Sequence, residues 1–170
     1  MNKPLFQDAR SAEVRDVRAR IDAFNADYAN AIDSDRLEEW PQFFTADAVY
    51  RVTTRENYEQ GLRIALIYAR GAGMLADRIT ALRTANIYEP HVYCHQFGAV
   101  KVIAHLPAGG WKAECNFTVV RTMATGAMTM FAAGRTYDAF VEGADGALRL
   151  AERVCVLDSR QIDTLLVIPL

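Results

Sequence analysis

Downstream of Pro90 the sequence is cut by three turn signals: Pro107-Ala108-Gly109-Gly110, Thr125-Gly126 and Gly143-Ala144-Asp145-Gly146. The stretches between them lie near 95–105, 111–124, 127–141 and 147–158. In one of them Trp111, Ala113, Cys115, Phe117 and Val119 alternate with Lys112, Glu114, Asn116 and Thr118. A period of two puts the first set on one face of a strand and the second on the other. Strands joined by short Gly-containing turns predict an antiparallel meander. At ~3.3 Å per residue such strands run to ~40 Å, a length at which a sheet must curl strongly.

Upstream, the period changes. Val14, Val17, Ile21, Phe24, Tyr28 and Ile32 recur at spacings of three and four, with charged residues between them. That is the apolar stripe of a long helix. Asp33-Ser34-Asp35 breaks it, and Asp35-x-x-Glu38 predicts a capping box opening a short second helix through Trp40. Pro41 predicts a tightened turn through Phe43 and Phe44. Val49–Thr54 reads as a strand. Residues 55–70 fit helix or strand equally. Gly71 and Gly73 mark a helix-entry turn, followed by a third helix with Met74, Leu75, Ile79 and Leu82 apolar. The first ten residues read as a loose arm and 11–170 as one domain.

Helices first and then hairpin strands describe an α+β fold with helices on one face of an antiparallel sheet. Three helices cannot cover so long a sheet, so an apolar strip is left to meet another chain or a ligand. Which face meets the helices depends on a register one residue wide, so Trp111 and Phe131 stand either in the core or at a subunit contact.

Apolar residues make up 51% of the chain and net charge is −2. With no basic cluster interleaved with aromatics, nucleic acid is not an expected partner. Nor is a membrane: Met1 to Arg10 lacks a leader's apolar run, and the longest apolar stretches are too short to span. A cytoplasmic protein is expected. Cys94, Cys115 and Cys155 match no zinc spacing and read as small buried hydrophobes in a reduced cytosol.

A cluster ligated by two Cys/His pairs is not supported: Cys94 adjoins His95, and the other cysteines have no nearby histidine. The only histidines are His91, His95 and His105. His91 and His95 are four apart, but in an extended segment that spacing exceeds ~13 Å, so both read as surface or interface histidines. Asp77-Arg78 reads as a buried ion pair at a helix–sheet junction or as a solvated surface pair. Tyr28 and Tyr50 read as core aromatics whose hydroxyls reach a partner at the rim; alternatively they line a pocket with Asp47 and His91. No catalytic, cofactor-binding or metal-binding residue is assigned.

Several stretches then carry a resemblance. Tyr28-Ala29-Asn30-Ala31-Ile32-Asp33, Leu37-Glu38-Glu39-Trp40-Pro41-Gln42-Phe43-Phe44-Thr45-Ala46-Asp47-Ala48-Val49-Tyr50, Met74-Leu75-x-Asp77-Arg78-Ile79-x-x-Leu82-Arg83 and Asp163-Thr164-Leu165-Leu166-x-Ile168-Pro169-Leu170 resemble small β subunits of aromatic-ring-hydroxylating dioxygenases. Asn86-Ile87-Tyr88-Glu89-Pro90-His91 is most similar to the terephthalate and salicylate oxygenase group. The resemblance implies a cone-shaped, nuclear transport factor 2-like fold and a non-catalytic β subunit, three copies of which form the stem of an α3β3 assembly. It places the Rieske [2Fe-2S] cluster and the mononuclear Fe(II) in the large α subunit, with NAD(P)H electrons arriving through a reductase. It nominates Asp77, Arg78, Arg83, Tyr88, His91, Tyr93, His95, Trp111, Phe131 and Leu170 for subunit contacts. Where many relatives carry an Arg-x-Arg-His-like stretch, this chain has Val92-Tyr93-Cys94-His95 and keeps only the histidine.

Two rivals share the fold: a self-contained dehydratase or isomerase, and a small-ligand carrier. A hydrogen-bonded acid–base pair in a pocket favours the first. A sealed cavity packed by Phe, Tyr and Met side chains argues against both. Removing Asp163–Leu170 is expected to impair assembly more than folding.

Overall fold

The computed structural model of the 170-residue chain describes residues 12–160 and 166–170. The expected arm and the start of the Asp163–Leu170 stretch lie outside the described residues. Helix α1 (Ala12–Asp33) buries Val17, Ile21, Phe24, Tyr28 and Ile32, the predicted stripe. A 3-10 helix, Leu37–Phe43, follows with Pro41 inside it. The predicted capping box does not form. Asp35 has φ 58°, outside the extended region that a helix-capping residue occupies. Its carboxylate and that of Glu38 instead bind Arg83 at 2.8 Å each.

Seven strands build one sheet: β1 (Phe44–Thr54), β2 (Ile67–Arg70), β3 (His91–Phe97), β4 (Lys101–His105), β5 (Trp111–Met123), β6 (Met128–Glu142) and β7 (Leu148–Leu157). The ambiguous stretch becomes a five-residue helix α2 (Arg55–Glu59), a loop and β2. Helix α3 spans Gly71–Thr84 and begins on the two glycines. The order is β2-β1-β7-β6-β5-β3, with β4 also on β5.

Two features depart from a simple meander. The strand expected near 95–105 is two strands, which pair with successive halves of β5. In addition, β1 pairs with β7 in parallel. No hairpin joins those two strands, so nothing local dictates an antiparallel pairing. The β1–β7, β5–β6 and β6–β7 pairs each carry a register shift, which adds bend and twist to the curl.

The inner face of the sheet meets the helices. Ala113, Cys115, Phe117 and Val119 are buried there, and Trp111, on the same face, packs against the core. The core register therefore holds, and Trp111 belongs to the fold rather than to an open sheet surface. Phe131 is the extra residue of the β5–β6 bulge and stacks on Tyr93 at 5.0 Å. Phe24, Tyr28, Trp40, Phe44, Tyr50 and Phe140 fill the interior, mostly in edge-to-face pairs such as Trp40–Tyr50 at 5.1 Å. The single-turn α2 touches the opposite face, where Tyr58 stacks on Tyr137 at 4.8 Å.

Gly134 lies where β6 comes closest to β7: a Cβ there would sit 2.0 Å from the Val156 carbonyl oxygen. The obstacle is backbone, so it cannot rotate away. Gly134→Ala is expected to cost about 1–3 kcal/mol, read as a lower urea midpoint with unchanged slope. An unchanged midpoint would mean that the two strands part without cost.

Candidate functional site

Strand β3 places His91, Tyr93 and His95 on its inner side. Tyr88, His91 and Tyr93 form a run of rings, with centroids 5.4 and 4.9 Å apart. The run continues to Phe131, over which Arg121 lies at 4.8 Å. Behind it His95 is held by the last residue of α1. Asp33 Oδ1 meets His95 Nδ1 at 2.6 Å, and Asp33 Oδ2 accepts the backbone N–H of His95 at 2.8 Å. Sequence reading missed this pair, having taken Asp33 only as a helix breaker.

Deeper in the cone lies a buried ion pair. Arg153 donates to Asp138 through Nε and Nη2, each at 2.9 Å. The two side chains are 0% and 2% exposed. Burial opposes the charge of Arg153, but the Asp138 carboxylate outweighs it and raises the guanidinium pKa. Arg153 also donates to Asn25 Oδ1 at 2.7 Å and stacks over the Tyr28 ring at 4.3 Å. The signal available in the sequence was an arginine and an aspartate at inward positions of apolar strands.

A third polar knot involves the segment Leu166–Leu170. Tyr28 and Tyr50 both donate their hydroxyls to the Leu170 carbonyl, at 2.8 and 3.3 Å. The Leu170 N–H in turn donates to the Tyr50 hydroxyl oxygen at 2.9 Å. Burial pushes both tyrosine pKa values up, so these hydroxyls serve as fixed donors and not as acids. Asp47 is exposed, and the alternative pocket of Tyr28, Tyr50, Asp47 and His91 is not assembled. The expected Asp77–Arg78 ion pair is replaced: Arg78 donates to the carbonyls of Leu166 and Val167 at 2.8 and 3.3 Å, while Asp77 is exposed.

Of the nominated contact residues, Tyr93, His95 and Leu170 are buried within their own chain. Arg78 and Arg83 are bonded within the chain, Trp111 and Phe131 pack on the core, and Tyr88 and His91 are half-buried. The open apolar surface lies elsewhere. On the outer face, Val92, Met128 and Met130 are 60%, 69% and 65% exposed. Register brings them together, since Val92 faces Thr122, which faces Met128, and the next row joins Cys94, Val120 and Met130.

Among the described residues, no three His, Cys, Asp or Glu side chains gather as a metal-ligand set. Burial pushes the Cys115 and Cys155 thiols up to about 11 and about 12, so both are protonated at neutral pH. Cys94, expected to be buried with them, is exposed because its place in β3 points it to the outer face. No described helix is long and apolar enough to cross a membrane.

The sequence pattern of the family described as "Ring hydroxylating beta subunit" matches residues 27–164. The chain belongs to that family. It is 46% identical over 151 residues to terephthalate 1,2-dioxygenase terminal oxygenase component subunit beta 1 of Comamonas sp., covering 89% of this chain and 97% of that one. It is 37% identical to the anthranilate 1,2-dioxygenase small subunit of Burkholderia cepacia over 84% of this chain and 88% of the relative. A crystal structure from Novosphingobium aromaticivorans, described as the β subunit of an aromatic-ring-hydroxylating dioxygenase, superposes with a TM-score of 0.84. Its identity is 37%, with 93% of this chain and 99% of that one covered. The α+β cone is thus the nuclear transport factor 2-like fold of these β subunits. The chain is one part of a multisubunit dioxygenase, an oxidoreductase whose terminal component also has an α subunit.

Proposed function

We propose that this chain, as a single α+β unit over 11–170, forms the structural stem of a terminal oxygenase, trimerising through its sheet within an α3β3 cytoplasmic assembly. The Rieske cluster and mononuclear iron belong to the large subunit, fed with NAD(P)H electrons by a reductase. The substrate class is an aromatic carboxylate, as the names of the terephthalate and anthranilate relatives suggest. The observation that carries the structural role is the cone interior, which is packed with aromatic side chains, while Val92, Met128 and Met130 stay exposed on the outer face. The donor set does not fit a cluster in this chain, since among the described residues no three His, Cys, Asp or Glu side chains gather. Closed three-fold symmetry covers the outer patch without creating a propagating surface.

Co-purification with the large subunit and metal analysis test this. Iron is expected to follow the large subunit, and about one iron per copy of the isolated chain would overturn the reading. The isolated chain is expected to sediment as a trimer. Met130→Asp buries a charge at each contact and should cost about 2 kcal/mol or more per interface, giving monomers with an intact fold. A wild-type chain that stays monomeric beside its large subunit would refute the trimer.

A further inference from the structure

At the end of the sheet away from β3, strand β2 is paired on one side only. Around it Leu62, Ile64, Leu66, Tyr68 and Met74 are exposed, Ile64 most of all at 62%. They form one surface. The Leu66 N–H donates to the Val52 carbonyl and the Thr53 hydroxyl to the Ile64 carbonyl, each at 2.8 Å, which lays the loop before β2 along β1. Met74, from the first turn of α3, folds back so that its Sδ accepts the Arg70 N–H at 3.4 Å. Apolar surface beside an open strand edge invites association, which a chain either prevents or uses.

Three arginines accompany this surface. In the pairing of β1 with β2, Arg51 faces Tyr68 and Val49 faces Arg70. Tyr50, Val52, Ile67 and Ala69 are buried, so Arg51, Tyr68 and Arg70 share the outer face of the sheet. Arg63 stands between Leu62 and Ile64 and is exposed. Arg51 lies over the Tyr58 ring at 6.0 Å, but none of the three has an ion-pair partner among the described residues. Glu152, across β1 from Arg70 beside Val49, pairs with none of them either. Tyrosine and arginine around an apolar centre are the residue types in which protein interfaces concentrate their binding energy.

The charges narrow the partner. A surface that covers these side chains has to bring carboxylates to the guanidiniums, because a desolvated arginine without a counter-charge opposes binding. The other exposed apolar strip of this chain, Val92, Met128 and Met130 with Thr122, Cys94 and Val120 in the same rows, holds no carboxylate. A second copy docked by that strip would leave the arginines unmatched, and the strip stands on β3, β5 and β6, beyond β1 and β7 in the strand order. The other chain of the terminal component is the α subunit. We infer that the β2 edge is the docking surface for the large α subunit, which meets it with an apolar centre rimmed by aspartate and glutamate side chains. The inference rests on the reading of this chain as the stem of an α-containing assembly and adds a second contact surface, separate from the three-fold one.

The test uses the co-expressed oxygenase component, purified through a tag on the large subunit, with dissociation of this chain measured on dilution. Arg63→Glu with Arg70→Glu reverses two of the charges and should weaken association with the large subunit at least ~10-fold. Ile64→Asp puts a charge at the apolar centre and should weaken it at least ~30-fold. Association of the wild-type chain should also weaken as salt rises from ~50 to ~500 mM, since ions screen the charges at the rim. Isolated, both variants should keep the wild-type circular dichroism spectrum and sediment as the wild-type chain does, because these side chains are exposed and lie outside the three-fold contact. If one variant fails to fold, the other still reads the surface. The inference alone is overturned if folded variants hold the large subunit as tightly as the wild type, or if they lose their self-association instead, which would give the edge to a second copy. A wild-type chain that does not bind the large subunit at all would overturn the stem reading and this inference with it.

Discussion

Deleting Leu166–Leu170 is expected to leave a chain that does not fold, rather than a folded chain that fails to assemble. Val167, Ile168 and Leu170 are 4%, 9% and 1% exposed within their own chain. Each buried side chain of this size contributes about 1.5–3 kcal/mol, so the three together approach the whole ~5–15 kcal/mol stability of an ordinary domain. The deletion also removes the acceptors of Tyr28, Tyr50 and Arg78, leaving two buried hydroxyls and a half-buried guanidinium without these partners. The milder Leu170→Ala keeps the backbone carbonyl and should cost about 2–5 kcal/mol. For a chain of this size that lowers the melting temperature by roughly 4–20 °C. The apolar composition of the segment suggested an assembly element, but the hydrogen bonds to Leu170 show an internal one. A deletion variant that melts like the wild type and merely loses its partners would restore the assembly reading.

Asp138→Ala is the second large effect. It would strand the Arg153 guanidinium, fully buried and raised in pKa, with only the Asn25 oxygen and two aromatic faces beside it. Removing one partner of a buried ion pair costs about 3–5 kcal/mol, because the remaining charge stays desolvated. The melting temperature should fall by roughly 6–20 °C. The double variant Asp138→Leu with Arg153→Met removes both charges and should recover most of that loss, since apolar replacement of a buried pair is often neutral or stabilising. Thermal denaturation of the three proteins decides the matter. A single variant costing under ~1 kcal/mol, or a double variant no better than the single, would mean that water reaches the pair.

What could be read from the linear sequence rests on short-range periodicity. The stripe Val17, Ile21, Phe24, Tyr28 and Ile32 is a 3.6-residue repeat, and the alternation from Trp111 to Val119 is a two-residue repeat. Each is set by the local geometry of one element, so α1, the long strands and their turns were legible without a partner in view. The resemblance to ring-hydroxylating β subunits rested on local strings as well, and the family match bears it out. The polar constellations were of another kind. Asp33 and His95 are 62 residues apart, Asn25 and Arg153 128, and Tyr28 and Leu170 142. No local period encodes such pairings. Asp35 and Glu38 had the spacing of a capping box, but Arg83, arriving from the end of α3, offered each carboxylate a charge-assisted bond that a local cap could not match. The register of the sheet likewise needed the helices in place before one face of Trp111's strand became the inside. Periodicity determined the elements and their order; the Asp33–His95 pair, the buried ion pair and the docked Leu166–Leu170 segment were decided only when distant side chains met in a space that water had left.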